Sequence, residues 1–156
     1  MGSQMIRKLL LPLVLLVLAA PGVRAAPLFD VMVLVDGSGS ISASDYATQS
    51  SAIQGLFDSF AIGPADNRFG IVQFGTSATL VSGLSDDAAQ LSTALSNMTQ
   101  DFGQTNYAAA FTLAANEFTA NARTGAQQVV ILLTDGTPNV PSGSAAVVDA
   151  IAAADG

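Results

Sequence analysis

Phe29 to Val35 is apolar at all but one position, Gln127 to Thr134 contains the unbroken apolar stretch Val-Val-Ile-Leu-Leu, and both are rich in Val, Ile and Leu. A strand with one wet face alternates apolar and polar residues; a strand that does not alternate must be covered on both sides. That requirement leaves few folds open and predicts the doubly wound α/β class, a mostly parallel sheet with helices on both faces. The intervening segments agree. Tyr46, Ile53, Phe57 and Phe60 recur at helical spacing after the capping candidates Ser42 and Ser44, and Gly63-Pro64 marks the expected stop. Phe69 to Phe74 and Ala78 to Leu84 read as strands joined at Gly75-Thr76, a link so short that they must pair antiparallel. Asp86 and Asp87 favour the start of a helix bearing Leu91, Leu95 and Met98. Tyr107, Phe111, Ala115 and Phe118 mark another helix, and Ala145 to Ala154 a last one.

The length, 156 residues, suits one domain. Ahead of it, Arg7 and Lys8 precede an apolar run from Leu9 to Ala20 that only Pro12 interrupts, and Ala25 follows at a cleavage-type position. This is the pattern of a secretory signal peptide. The run falls short of the ~20 residues that a membrane-crossing helix needs. The expected organisation is a signal peptide over residues 1–25 and one domain over 28–156, in a secreted, periplasmic or cell-surface protein. The fully apolar stretch Val129 to Leu133 of the last strand would be an exposed edge if the sheet ended there, which sheets avoid. The domain is therefore expected to be truncated before its last strands.

Composition removes whole classes of chemistry. The chain has no Cys and no His, and its single Lys is Lys8. Thiolate and imidazole chemistry is therefore excluded, as is zinc held by Cys or His. Cleavage after Ala25 would leave Arg68 and Arg123 against all 12 acidic residues, a net charge of −10. Such a surface repels phosphate backbones, so nucleic acid is not an expected partner.

Three short motifs remain: Asp36-Gly37-Ser38-Gly39-Ser40 after the first buried strand, Gly103-Gln104-Thr105-Asn106 before the Tyr107 helix, and Thr134-Asp135-Gly136 after the last strand. Each alone reads as an ordinary turn or a helix cap, Thr105 as a capping residue included. Together they put Asp36 and Asp135 at the C-terminal ends of parallel strands, where open α/β sheets bind ligands. The donors on offer are two carboxylates and three hydroxyls, an oxygen set suited to Mg²⁺, with Mn²⁺ or Ca²⁺ as substitutes.

In these motifs and their order the chain resembles the von Willebrand factor type A domain, from about Phe29 onward. The resemblance implies a metal-ion-dependent adhesion site. Ser38, Ser40 and Thr105 would reach the ion through hydroxyl oxygens, and Asp36 and Asp135 directly or through water. A further position would stay open for a carboxylate of a protein partner. It also implies a strand order of 3-2-1-4-5-6, of which only four strands are legible here. Some relatives carry extra carboxylates for a second ion; only Asp45 follows the first motif here, so no second site is expected. The expected function is thus an exported binding or adhesion module, not an enzyme, that grips an Asp or Glu of its partner through the ion. Two alternatives stay open. One is a phosphatase-like hydrolase with an aspartate nucleophile, although Ser38 stands where the haloacid dehalogenases have their acid/base Asp. The other is a scaffold with an empty site.

Overall fold

The computed structural model describes residues 27–140. The expected signal segment and the Ala145 to Ala154 helix lie outside that range. Within it run β1 (Phe29–Asp36), α1 (Ala43–Ser59), β2 (Arg68–Phe74), β3 (Ala78–Ser85), α2 (Ala88–Ser96), α3 (Tyr107–Asn121) and β4 (Gln127–Leu133). The sheet order is β3-β2-β1-β4. β1 is parallel to both neighbours, and β2 and β3 form the expected antiparallel hairpin. The doubly wound, mostly parallel α/β architecture is thus as the sequence predicts.

β1 is central, and its residues alternate between two apolar layers. Val31, Val33 and Val35 pack with Ile53 and Phe57 of α1 and with Leu91 and Leu95 of α2. Met32 and Leu34 point the other way, against Ala110, Ala114 and Phe118 of α3. Each such side chain, removed from water, stabilises the fold by about 1.5–3 kcal/mol. Gly70 shows how tightly the layers fit. It is Met32's partner across the sheet, and a Cβ there would lie 2.5 Å from the Met32 sulfur. β4, at the edge among the described residues, is half-buried where β1 is buried from Asp30 to Asp36. No helix among the described residues is long and apolar enough to cross a membrane.

Capping follows side-chain chemistry. The Ser42 hydroxyl accepts from the Asp45 N–H at the start of α1. Asp87 accepts from the Ala89 and Gln90 N–H groups and starts α2. Two expectations need correction, and one alternative reading falls. Helix α1 ends at Ser59, not near Gly63-Pro64: Phe60 is extended, with its ring 5.9 Å from that of Phe69. The Asn67 side chain then secures the following segment, donating to the Ala61 carbonyl and accepting from the Phe29 N–H. Met98 lies beyond α2, which Asn97 caps, and packs on the α1-side core from the loop. The cap of α3 is Asn106, not Thr105; its side chain accepts from the Ala109 N–H.

The N-terminal end of β1 holds a cluster that the sequence did not reveal. Asp30 has no solvent exposure. Arg68, its register partner on β2, donates to both carboxylate oxygens, from Nε at 3.1 Å and Nη2 at 2.7 Å. Arg123 adds its backbone N–H at 2.7 Å and Nε at 3.0 Å. Burial pushes the Asp30 carboxyl up, but these hydrogen bonds and the Arg68 charge outweigh it and hold the group below the ordinary carboxylate value. A depressed acid stabilises the fold fully above its unfolded pKa and loses that contribution as pH falls below it. Asp30→Asn should therefore cost about 3 kcal/mol at pH 7, the range for breaking a buried pair. The gap from the parent should narrow below about pH 4. Urea unfolding at both pH values measures this, and equal midpoints at pH 7 would contradict it.

Candidate metal centre

The parallel register decides what meets at the other end of β1. Val35 pairs with Leu133, so the next residues, Asp36 and Thr134, leave the sheet side by side. The Thr134 hydroxyl donates to Asp36 Oδ2 at 2.7 Å. Asp36 Oδ1 accepts from the Ser38 N–H at 2.9 Å. Asp36 is fully buried, and both its oxygens are oriented by neutral donors.

Beyond Asp36 the first motif folds over the sheet. The Gly37 N–H donates to the Phe74 carbonyl and the Gly39 N–H to that of Gly103, while Gly37 accepts from the Phe102 N–H. Glycine at position 37 leaves room for two side chains, since a Cβ there would lie 2.9 Å from Asp101 Oδ1 and 3.0 Å from Gln73 Nε2 and would push them aside. The loop presents Ser38 and Ser40 with their Oγ atoms 3.1 Å apart, and Ser40 Oγ lies 3.2 Å from Asp135 Oδ1.

Those two separations are long for O–H···O hydrogen bonds, whose usual length is about 2.7–2.8 Å. Adjacent ligands of an octahedral ion with bonds of about 2.1 Å lie about 3.0 Å apart. Ser38, Ser40 and Asp135 therefore already stand near the spacing of a Mg²⁺ or Mn²⁺ coordination edge. The donor set fits such an ion. Among the described residues no three His, Cys, Asp or Glu side chains converge, so a cation here would depend on hydroxyls as well as carboxylates.

Thr105 is buried on the adjoining loop. Its N–H donates to Asn139 Oδ1 at 2.8 Å, and its carbonyl accepts from the Asn139 N–H at 3.2 Å. The hydrogen bonds from Gly39 to Gly103 and from Phe102 to Gly37 tie this loop to the first motif. Of the five residues expected at the site, Asp36, Ser38, Ser40 and Asp135 are thus linked by polar contacts of 2.9–3.2 Å at one sheet end. Thr105 stands on the loop stitched to them.

Sequence reasoning missed several supporting residues. Thr134 belonged to a motif, but its role as donor to Asp36 comes from the register. Tyr107 of α3 lies 3.0 Å from the Thr134 hydroxyl and donates to the Gly136 carbonyl. Gln73, a polar residue within the otherwise apolar Phe69 to Phe74 run, accepts from the Tyr46 hydroxyl at 2.8 Å and donates to the Thr99 carbonyl at 2.7 Å. Burial, and then the charge on Asp101, push the Tyr46 hydroxyl up to about 12, so it remains a donor. Asp101 lies over Gly37 and Gly75. Burial and then the Asp36 charge raise its carboxyl, while Gln73 acts in the opposite sense. A polar residue inside an apolar strand was the available signal for Gln73; Asn139 and Asp101 had none.

Comparison with known proteins follows the same line. The family description "von Willebrand factor type A domain" matches residues 30–155. The collagen alpha-4(VI) chain of Mus musculus is 33% identical over 119 residues, covering 75% of this chain and 5% of its own length. This chain therefore corresponds to a small part of that relative. Among solved structures, proximal thread matrix protein 1 of the mussel byssus, with a zinc-occupied MIDAS motif, superposes with a TM-score of 0.72 at 24% identity, over 81% of this chain and 36% of that one. At that identity the likeness shows the fold alone. Manganese-loaded TRAP protein of Plasmodium vivax gives a TM-score of 0.67 at 27% identity, over 78% of this chain and 50% of its own.

If these oxygens take an ion, Asp36→Ala should abolish Mn²⁺ binding, and Ser38→Ala should weaken it less, since it removes a neutral ligand. Thr134→Val keeps all five candidate ligands but frees Asp36 Oδ2, and should weaken binding about tenfold or more. Calorimetry reads all three, and undiminished affinity in Asp36→Ala would place the ion elsewhere.

Proposed function

The chain belongs to the von Willebrand factor type A family, and from that membership and the site's geometry we propose that it is an exported binding module. A divalent cation, Mg²⁺ or Mn²⁺ with Ca²⁺ as a substitute, is held by Asp36, Ser38, Ser40, Thr105 and Asp135. A protein partner completes the coordination with an Asp or Glu. The ion supplies the positive charge that attracts the partner's carboxylate. The chain's own residues fix the donors, bury Asp36 and keep the loops in register.

One contrast carries this reading. β1 has a fully buried carboxylate near each end, Asp30 and Asp36. Asp30 is neutralised by two guanidinium groups. Asp36 receives only a backbone N–H and a hydroxyl, and among the described residues no cation faces it. A buried carboxylate without a counter-charge costs several kcal/mol. A metal ion among hydroxyl donors supplies that charge. Two carboxylates balance a divalent ion, leaving it able to accept a third from outside, whereas a site with four would repel an acidic ligand.

The hydrolase reading fits less well. An aspartate nucleophile needs an oxygen free to reach substrate, and both oxygens of Asp36 are engaged by donors in a fully buried side chain. The collagen relative and the signal-like N-terminus both support an extracellular or cell-surface setting.

Among the described residues both basic side chains are bound to Asp30, at the opposite end of the sheet. An acidic partner thus finds no guanidinium at the site and depends on the ion. Capture of candidate matrix proteins on a surface carrying this chain should rise at least tenfold in Mg²⁺ over EDTA. Moderate salt should leave capture unchanged or slightly raise it, because screening removes the wider repulsion. Equal capture in EDTA would refute the mechanism.

A further inference from the structure

Resting on that reading, we propose that Phe102 determines which acidic partner the site accepts, by packing its ring on an apolar side chain next to the partner's Asp or Glu. Phe102 is 68% exposed, against 44% for Phe60 and 40% for Leu80, the other exposed large apolar residues among those described. Phe60 still lays its ring on Phe69, and Leu80 belongs to strand β3. Phe102 instead lies on the loop that borders the candidate metal ligands. Its N–H donates to the Gly37 carbonyl at 3.0 Å, and its own carbonyl would be 3.8 Å from a Cβ at Gly39.

The backbone supplies a second, independent observation. Phe102 has a φ of 54° and is the one non-glycine residue with positive φ among those described. In this left-handed region the Cβ of an L-residue crowds the following carbonyl, which is why glycine or asparagine normally stands there. The turn itself is needed, since it aims the 102 N–H at Gly37 and leads directly into Gly103, whose carbonyl receives the Gly39 N–H. The ring is not needed for the turn and hinders it. A bulky side chain in a strained conformation, presented to water beside a site, is the arrangement expected of a contact residue. Exposed aromatic rings give large contact area with little rotamer entropy to lose, and such residues dominate binding energies.

The chemistry of the partner follows. Asp101 lies beside the site over Gly37, and Asp36 and Asp135 only balance the ion, so an acidic group gains nothing from its surroundings except through the ion. Among the described residues, the large apolar group exposed on this rim is the Phe102 ring. The favoured ligand is therefore an Asp or Glu with a Leu, Met, Phe or similar residue within one or two positions, and not one inside an acidic run.

The test uses the full chain and a displayed peptide library, hexapeptides with one fixed central Glu and random flanks, selected in Mg²⁺ and in EDTA. The parent should enrich peptides with an apolar residue beside the Glu, in Mg²⁺ only. Phe102→Gly and Phe102→Asn should melt at or above the parent temperature and bind Mn²⁺ within twofold of it. They should nonetheless lose the flank preference and at least tenfold of the capture. Retention of the preference in these variants would overturn the proposal, as would a marked fall in their melting temperature, which would make the ring a structural element. If the parent captures no peptide in a Mg²⁺-dependent way, the adhesion reading fails and takes this inference with it; Mg²⁺-dependent capture without flank preference removes the inference alone.

Discussion

A carboxylate buried at the end of the central strand sets the terms for the rest of this structure. Asp36 is inaccessible to solvent at the end of a strand covered by helices on both faces, and of its two donors the Ser38 N–H is local while the Thr134 hydroxyl is brought by the parallel pairing with β4. Isolated burial of a charge is among the most unfavourable arrangements a fold can contain. The chain answers this problem twice on one strand. At Asp30 it uses two arginines. At Asp36 it uses oriented neutral groups and a loop of hydroxyls, which leaves room for a positive charge from outside.

That division gives the domain a polarity. Both basic side chains among the described residues are committed to the Asp30 end, where they also tie Asn121, Asp66 and Phe29 together through backbone carbonyls. The opposite end carries Asp36, Asp45, Asp101 and Asp135 without a compensating side chain. One end is thus suited to hold the fold together, and the other to attract cations and to repel any anion that arrives without one.

The parts legible in the sequence were those governed by local pattern. Buried strands announce themselves by unbroken apolar runs, the hairpin by its short link, and the site by motifs that each sit at a strand or helix end. The parts that were not legible depend on contacts distant in sequence. The stop of α1 is set by Phe60 turning onto Phe69, not by the breakers after it. Asp30 is the one charged residue in its apolar run, and its partners Arg68 and Arg123 stand 38 and 93 positions away. Thr105 and Asn106 are adjacent and both suited to capping. Spacing alone could not say that Asn106, and not Thr105, takes the cap. Phe102 is an ordinary residue in the sequence and becomes informative only through its φ angle and exposure.

The central claim is that these oxygens hold one cation and leave part of its coordination open. Water-proton relaxation during Mn²⁺ titration into the full chain tests it most directly, because relaxivity reports exchangeable waters on the bound ion. The account predicts one equivalent of bound Mn²⁺ with strongly enhanced relaxivity, lost in Asp36→Ala and reduced when a Glu-containing peptide displaces water from the ion. Relaxivity no greater than that of free Mn²⁺, or an enhancement untouched by Asp36→Ala, would contradict it.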